Sequence, residues 1–294
     1  MGVRLVFALG MLSLAGRTAV ITGAASGIGR AMARRFAAQG MSVVAADVDA
    51  AGLEELAADP DLPSPVRVVR TDVSDPSSVE ALADVVFGEF GDVGVLCNNA
   101  GVGPMGTIWD VDVAEWEWVL GVNLWGVING VRSFIPRMLE TGREGHVVNT
   151  ASMAGLIAGR ELTRWRLGAY AASKHAVVAI SHTLYAELRT AGAPIGVSLV
   201  CPAAVQTRIW DVERLRPRSG SEPKLPTEDG ERLQAQLRRG LEVGNTPGEV
   251  AGLVLEAVLD DRFYVFTSPG SPGQVERHIG DLVGLRNPPV PGLG

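Results

Sequence analysis

Two kinds of hydrophobic pattern alternate along the chain. Short runs of consecutive apolar residues predict buried strands, because a strand covered on both faces shows continuous rather than alternating hydrophobicity. Longer stretches between them carry apolar residues three or four positions apart and predict helices. The predicted strands are Thr18–Thr22, Ser42–Asp47, Val66–Arg70, Val93–Cys97, His146–Asn149, Ile195–Val200 and Phe263–Phe266. The predicted helices span about residues 27–39, 50–58, 76–90, 113–140, 169–192 and 247–260.

This alternation predicts an α/β fold with a doubly wound, seven-stranded parallel sheet and helices on both faces. No internal repeat interrupts it, so we assign residues 14–267 to a single domain. Residues 1–13 then form an N-terminal extension, and residues 268–294 form a C-terminal tail with a short helix near Gln274–Val283. Residues 206–244 are rich in Arg, Glu and Pro and predict a mobile substrate lid; a disordered surface insertion is the alternative.

Composition narrows the class of protein. The 294 residues carry a net charge of −7 without a basic patch, which argues against a nucleic-acid partner. The apolar run near the N-terminus is too short to span a bilayer, so no membrane partner is expected. The only cysteines, Cys97 and Cys201, favour a reducing compartment, the cytoplasm. His146, His175 and His182 lack a metal-ligand spacing, so no metal site is expected.

A glycine-rich turn separates the first predicted strand from the first helix. Its sequence, TGAASGIG over residues 22–29, allows a tight turn whose backbone N–H groups approach a pyrophosphate at a helix N-terminus. Asp47 ends the second strand, where a carboxylate accepts hydrogen bonds from an adenosine ribose and repels a 2′-phosphate. This pattern predicts NAD rather than NADP as cofactor; a structural turn with Asp47 as a helix cap is the alternative. The predicted contacts in the turn are Gly23, Ser26, Gly27, Ile28 and Gly29.

Further polar residues follow the third and fourth predicted strands. Asp72 and Val73 end the third strand, where a carboxylate meets the adenine amino group. Asn99, Ala100 and Gly101 follow the fourth strand. Parallel sheets of this kind bind ligands at the carboxyl ends of their strands, so we expect these residues to contact the cofactor. Ordinary turn chemistry is the alternative for each.

Tyr170 and Lys174 lie four positions apart on a predicted helix and so share one face. An ammonium near a phenol lowers the phenol pKa, which makes the pair a candidate general acid and base. Ser152 ends the fifth strand at the same edge of the sheet, where its hydroxyl can hold a substrate oxygen. Asn123 is a polar residue within an apolar helical stretch, which calls for a specific role.

Together these motifs resemble the short-chain dehydrogenase/reductase family, in its order and near its spacing, over roughly residues 14–266. The resemblance implies a compact, NAD-preferring Rossmann-fold enzyme in which Tyr170 takes the alcohol proton. It implies that Lys174 lowers the Tyr170 pKa and binds the nicotinamide ribose. Ser152 would hold the substrate oxygen, and Asn123 would hold a water that links Lys174 to solvent.

Two departures from the family pattern bear on the site. The resemblance assigns cofactor contacts to Pro202, Val205 and Thr207, but Ala203 stands where the family usually has Gly, which makes the backbone contacts there less certain. The segment between Ser152 and Tyr170 is also longer than usual, and its residues 160–166 include three arginines and a tryptophan. We expect it to bulge outward, at the rim of the site or against another subunit.

The expected pocket wall is apolar and suits a bulky, uncharged secondary alcohol or its ketone. The candidate substrate contacts are Met105, Ser152, Met153, Ile157 and Trp210. The two long helices, about 113–140 and 169–192, are rich in apolar residues, and the resemblance implies that they form a homotetramer or homodimer. Two other functions stay open: a catalytically silent NAD-binding regulator, and a lyase or epimerase on the same scaffold.

Overall fold

A seven-stranded parallel sheet forms the centre of the protein. The computed structural model describes residues 14–158, 165–211, 214–215 and 228–290. The strands lie in the order β3-β2-β1-β4-β5-β6-β7, and every pairing is parallel. They are β1 Thr18–Thr22, β2 Ser42–Asp47, β3 Arg67–Arg70, β4 Val95–Asn98, β5 Gly145–Thr150, β6 Ile195–Cys201 and β7 Tyr264–Phe266. The predicted fold class and all of the predicted strands are confirmed.

Helices cover both faces of the sheet. They are α1 Gly27–Ala37, α2 Ala50–Ala57, α3 Pro76–Phe90, α4 Val113–Leu120, α5 Gly126–Thr141, α6 Met153–Leu156, α7 Gly168–Thr190, α8 Glu228–Glu242, α9 Pro247–Leu259 and α10 Ser271–Val283. Within the described part of the chain, none of them is both long and apolar enough to cross a membrane. The short helix expected in the tail is present as α10.

The predictions for two of these segments were wrong. The stretch expected as one helix over 113–140 is two helices joined by the π-helical turn Gly121–Trp125. The segment 206–244 was expected as a loop but contains α8, whose Leu233, Leu237 and Leu241 are four positions apart. Leu237 is buried against Tyr170 and its neighbours, so the period reflects packing on the site.

Two hydrophobic layers hold the helices to the sheet. Because side chains of a strand alternate between faces, Ile21 packs with Phe36 of α1 on one face, whereas Val20 packs with Phe134 of α5 on the other. The strand order reverses between β1 and β4, so their connections leave toward opposite sides of the sheet. A crevice therefore opens at the carboxyl ends of these strands, and the candidate site lies there.

Candidate active site

The glycine-rich turn after β1 depends on backbone positions that a side chain would disturb. Gly23 and Gly27 have φ of +69° and +53°, in the region that favours glycine. A Cβ added at Gly29 would lie 2.1 Å from the Gly23 carbonyl oxygen. The turn thus brings backbone close to backbone at the start of α1, as a pyrophosphate cradle requires.

Asp47 ties this turn to the end of β2. Its Oδ2 accepts a hydrogen bond from the Ala25 amide at 2.9 Å, and its Oδ1 accepts one from the Asp49 amide at 3.0 Å. Burial raises the pKa of Asp47, and these backbone hydrogen bonds partly offset the rise. The side chain that caps α2 is Asp49, which accepts from the Gly52 amide. The alternative in which Asp47 is the helix cap is therefore wrong.

Two threonines that the sequence analysis did not single out hold the loop after β4. Thr22 Oγ1 accepts hydrogen bonds from the Asn99 amide at 2.9 Å and the Ala100 amide at 3.1 Å. Thr150 Oγ1 donates to Asn99 Oδ1 at 3.2 Å. Both threonines end strands that flank β4, so strand order would have identified them. Asp72 makes the contacts of an ordinary turn, which was the alternative for this residue. Its Oδ1 accepts hydrogen bonds from the amide and the hydroxyl of Ser74.

Most of the predicted site residues line one cavity of about 730 Å³. The exceptions are Gly29 and Asn123, which lie behind its wall, and Met105, which packs against the cluster containing Tyr170 and Trp210. The predicted residues that the cavity brings together are Gly23, Ser26, Gly27, Ile28, Asp47, Asp72, Val73, Asn99, Ala100, Gly101, Ser152, Met153, Ile157, Tyr170, Lys174, Pro202, Val205, Thr207 and Trp210. The cavity runs from the glycine-rich turn to Tyr170, which fits an extended dinucleotide with a substrate beyond it.

Tyr170 and Ser152 lie together at the end of the cavity away from the glycine-rich turn. The phenol and the Ser152 side chain share a hydrogen bond, and Ser152 Oγ also accepts from the Ala154 amide at 3.1 Å, at the start of α6. Burial raises the pKa of Tyr170, and the bond to Ser152 partly offsets this. The net direction is opposite to the lowered pKa that the sequence predicted. The indole of Trp210 covers the phenol edge-on, with ring centroids 5.3 Å apart.

Lys174 lies one turn further along α7 and is also buried. Its Nζ lies 5.9 Å from the centre of the Tyr170 ring and donates to the Thr150 carbonyl at 2.8 Å. Burial lowers the pKa of Lys174 to about 8. A Cβ added at Gly101 would lie 3.4 Å from Lys174 Nζ and 3.4 Å from Asn123 Oδ1, so the two side chains meet beside that glycine.

Known proteins share both the sequence pattern and this geometry. The family model for short chain dehydrogenases matches residues 17–217. The chain belongs to the short-chain dehydrogenase family. A 1-deoxy-11-beta-hydroxypentalenate dehydrogenase of Streptomyces exfoliatus is 41% identical over 255 residues, which cover 86% of this chain and 83% of that protein. A C alpha-dehydrogenase of a Sphingobium strain is 32% identical over 91% of this chain and 85% of that protein.

A solved structure of a short-chain dehydrogenase is similar along almost the whole chain. The protein from Burkholderia phymatum, in complex with NAD, superposes with a TM-score of 0.90 at 44% identity and covers 96% of this chain and 99% of that one. The similarity therefore extends well beyond the glycine-rich turn.

In this short-chain dehydrogenase, the side chain of Asn123 connects two segments that border the site. It lies in the π-helical turn, where its Oδ1 accepts from the Val102 amide at 2.8 Å and its Nδ2 donates to the Val102 carbonyl at 2.9 Å. Nδ2 also donates to Ser173 Oγ at 3.0 Å. The side chain therefore joins the loop after β4 to α7, which explains a buried amide in an apolar stretch. The water-holding role implied by the resemblance stays a prediction.

The departure at Ala203 does not strain the backbone. Among the described residues, the non-glycines with positive φ are Arg166, Asp261 and Leu285, so Ala203 needs no glycine-like conformation. Its amide donates to Thr267 Oγ1 at 3.0 Å. The preceding Pro202 carbonyl accepts from the Met153 amide at 3.0 Å. These bonds hold the segment after β6 beside Ser152 without a glycine.

Part of the longer loop before Tyr170 lies outside the described residues, which resume at Trp165. The Gly106 amide donates to the Arg166 carbonyl at 2.8 Å, and Trp165 and Leu167 line the cavity. The end of the loop therefore lies at the rim of the cavity, which is one of the two expected positions, and the expected outward bulge falls outside the described residues. Within the described ranges, no group of three or more His, Cys, Asp or Glu residues is arranged to hold a metal ion.

Proposed function

We propose that this protein is an NAD-dependent oxidoreductase that interconverts a secondary alcohol and its ketone on a bulky, mostly apolar substrate. The observation that carries the proposal is a single cavity with the Tyr170 phenol, hydrogen-bonded to Ser152, at one end and the glycine-rich turn with Asp47 at the other. The same cavity can therefore hold a dinucleotide and present its reactive ring to the tyrosine.

The proposed roles follow from the contacts at the tyrosine end. In ketone reduction, Tyr170 donates its phenol proton to the carbonyl oxygen, and its raised pKa keeps that proton in place near neutral pH. In alcohol oxidation the phenolate form of Tyr170 takes the hydroxyl proton, and the nearby Lys174 ammonium stabilises that phenolate before the transfer. Ser152 donates a hydrogen bond to the substrate oxygen as charge develops on it. When bound, NAD would accept the hydride in alcohol oxidation, and NADH would donate it in ketone reduction.

NAD is preferred over NADP in this proposal because of Asp47. Its carboxylate lines the cavity beside the turn, where it accepts from a ribose diol and repels a 2′-phosphate. The NAD bound in the similar Burkholderia phymatum structure supports the choice.

The substrate pocket supports an apolar ring system. Met153, Ile157 and Trp210 are all buried at the tyrosine end of the cavity. The Streptomyces exfoliatus relative is named as a dehydrogenase of 1-deoxy-11-beta-hydroxypentalenate, a hydroxylated compound. We therefore propose a terpenoid-type secondary alcohol as the first substrate class to test.

The test compares two tyrosines of the same helix. Tyr170→Phe removes the phenol oxygen, and we expect NADH production on a panel of secondary alcohols to fall by about 10²–10⁴-fold. Tyr185→Phe, also on α7 but more exposed, is the matched control and should keep its activity. Undiminished turnover in Tyr170→Phe would refute the assigned role. Tight NAD binding without turnover on any substrate would favour the silent regulator, and conversion without net NADH would favour a lyase or epimerase.

Assembly and location complete the proposal. Trp125, between α4 and α5, and Tyr185 of α7 remain 49% and 36% exposed in the single chain. Burial of such rings against a second copy is favourable, so we propose a homotetramer or homodimer built on these helices. Elution as a monomer at micromolar concentration in size-exclusion chromatography would contradict it. The free thiols of Cys97 and Cys201 support the cytoplasm as location.

A further inference from the structure

Arg214 of the lid forms an ion pair across the cofactor cleft. Its Nη1 lies 2.5 Å from Asp49 Oδ2, although the two residues are 165 positions apart in the chain. Both side chains are mostly buried, with 23% and 22% of their surfaces exposed. Asp49 also caps α2, because its other carboxylate oxygen accepts a hydrogen bond from the Gly52 amide. The pair therefore connects the lid to the loop that follows β2.

This ion pair lies beside Asp47. The Asp49 amide donates to Asp47 Oδ1, and the positive charge of Arg214 contributes to lowering the Asp47 pKa against the effect of burial. Arg214 and Asp47 line the same cavity. The Arg214 Nε is itself buried and has no hydrogen-bond partner among the described residues.

The charges decide what this end of the cleft accepts. Two carboxylates, Asp47 and Asp49, lie near the guanidinium of Arg214, so these three groups together carry one net negative charge. A 2′-phosphate would add between about −1.5 and −2 charges. Arginine binds phosphate strongly through two parallel hydrogen bonds, but here Asp49 already occupies one edge of the guanidinium.

We propose that Asp49 is a second determinant of cofactor selectivity, because it engages the lid residue Arg214 and withholds it from the 2′-phosphate of NADP. The inference rests on the proposed function, in which this cavity holds NAD. It adds to the role of Asp47: one carboxylate repels the phosphate, and the other occupies the cation that would bind it.

The test is a binding cycle on the full chain, measured by titration calorimetry with NAD and NADP and without substrate. Asp49→Asn keeps a residue that caps helices well but removes the charge. We expect its NADP affinity relative to NAD to rise at least about tenfold, since hydrogen bonds to charged groups contribute strongly. Asp49→Asn combined with Arg214→Gln restores the original net charge and should return the ratio to within about threefold of the unmodified protein.

A second lid arginine supplies the control. Arg208 lines the same cavity, so Asp49→Asn combined with Arg208→Gln should keep the gain in NADP affinity. An unchanged ratio in Asp49→Asn would overturn the proposal. A gain that survives Arg214→Gln would overturn it too, because Asp49 would then act through its own charge alone. Failure of the proposed function gives a different result, namely an unmodified protein that binds neither cofactor.

Discussion

Lys174 gives a prediction about the stability of the folded protein. This lysine is 2% exposed, and burial lowers its pKa from 10.5 to about 8. At about 1.4 kcal/mol for each pKa unit, keeping the ammonium charged in the folded protein costs about 3 kcal/mol. Lys174→Met removes that cost together with the hydrogen bond to the Thr150 carbonyl. At pH 7 the loss of the buried charge stabilises the variant, whereas the loss of the hydrogen bond destabilises it. Only the effect of the charge depends on pH.

The sign of the pH dependence follows from proton binding. Between pH 8 and 10.5 the unfolded chain holds a proton on Lys174 that the folded chain has lost, so the unfolding free energy rises with pH in this window. Below pH 8 both states are protonated and this contribution is constant. The unfolding free energy of the unmodified protein should therefore rise by up to about 3 kcal/mol relative to that of Lys174→Met as the pH rises through the window.

The measurement is urea unfolding of both proteins without cofactor at pH 7, 8, 9 and 10, at one protein concentration because association changes apparent stability. The quantity of interest is the difference in unfolding free energy at each pH, since groups shared by both proteins cancel in it. The chain has one other lysine, and Lys224→Met controls for the loss of a lysine elsewhere. A difference between the unmodified protein and Lys174→Met that stays constant over this range would refute the reasoning.

Three further predictions concern the frame of the site. Arg17→Met should cost about 1.5–3 kcal/mol in urea unfolding, because Asp92 loses its buried partner and keeps the more exposed Arg143, and an equal loss in the exposed-pair control Arg67→Met would contradict this. Ala203→Gly should keep turnover within about twofold but lose about 0.5–1 kcal/mol of stability; a large gain in turnover would show that a glycine is needed. Gly29→Ala should weaken NAD binding in calorimetry by at least about tenfold, since its Cβ would meet the Gly23 carbonyl, and unchanged affinity would contradict that.

The parts of the fold that the sequence predicted are those encoded by local pattern. Seven runs of consecutive apolar residues correspond to the seven strands, because a strand that is covered on both faces carries apolar side chains on both. The glycine-rich turn and the pair Tyr170 and Lys174 have fixed spacings, so their placement follows from the first strand and from helix geometry. The helix α8 is also encoded, in leucines four positions apart, but its charged composition favours a loop when the sequence is considered alone.

Other features depend on contacts that no local pattern carries. The direction of the Tyr170 pKa reflects burial by Trp210, which comes from the lid and not from the helix that holds the tyrosine. The π-helical turn at Asn123 is explained by its bonds to Val102 and Ser173, in two other segments of the chain. The contact between Asp49 and Arg214 likewise needs the folded lid.

The lid contacts suggest that the two ends of the cleft respond together. Trp210 packs on Tyr170, and Arg214 pairs with Asp49. Only three residues separate these two contacts, and a chain advances at most about 3.6 Å per residue, so movement at one end restrains the other. We therefore expect Asp49→Asn to raise the KM for the alcohol as well as to change cofactor affinity, because a lid released at Arg214 holds Trp210 less firmly. Steady-state kinetics at saturating NAD checks this: an unchanged KM in that variant would mean that the two contacts act independently.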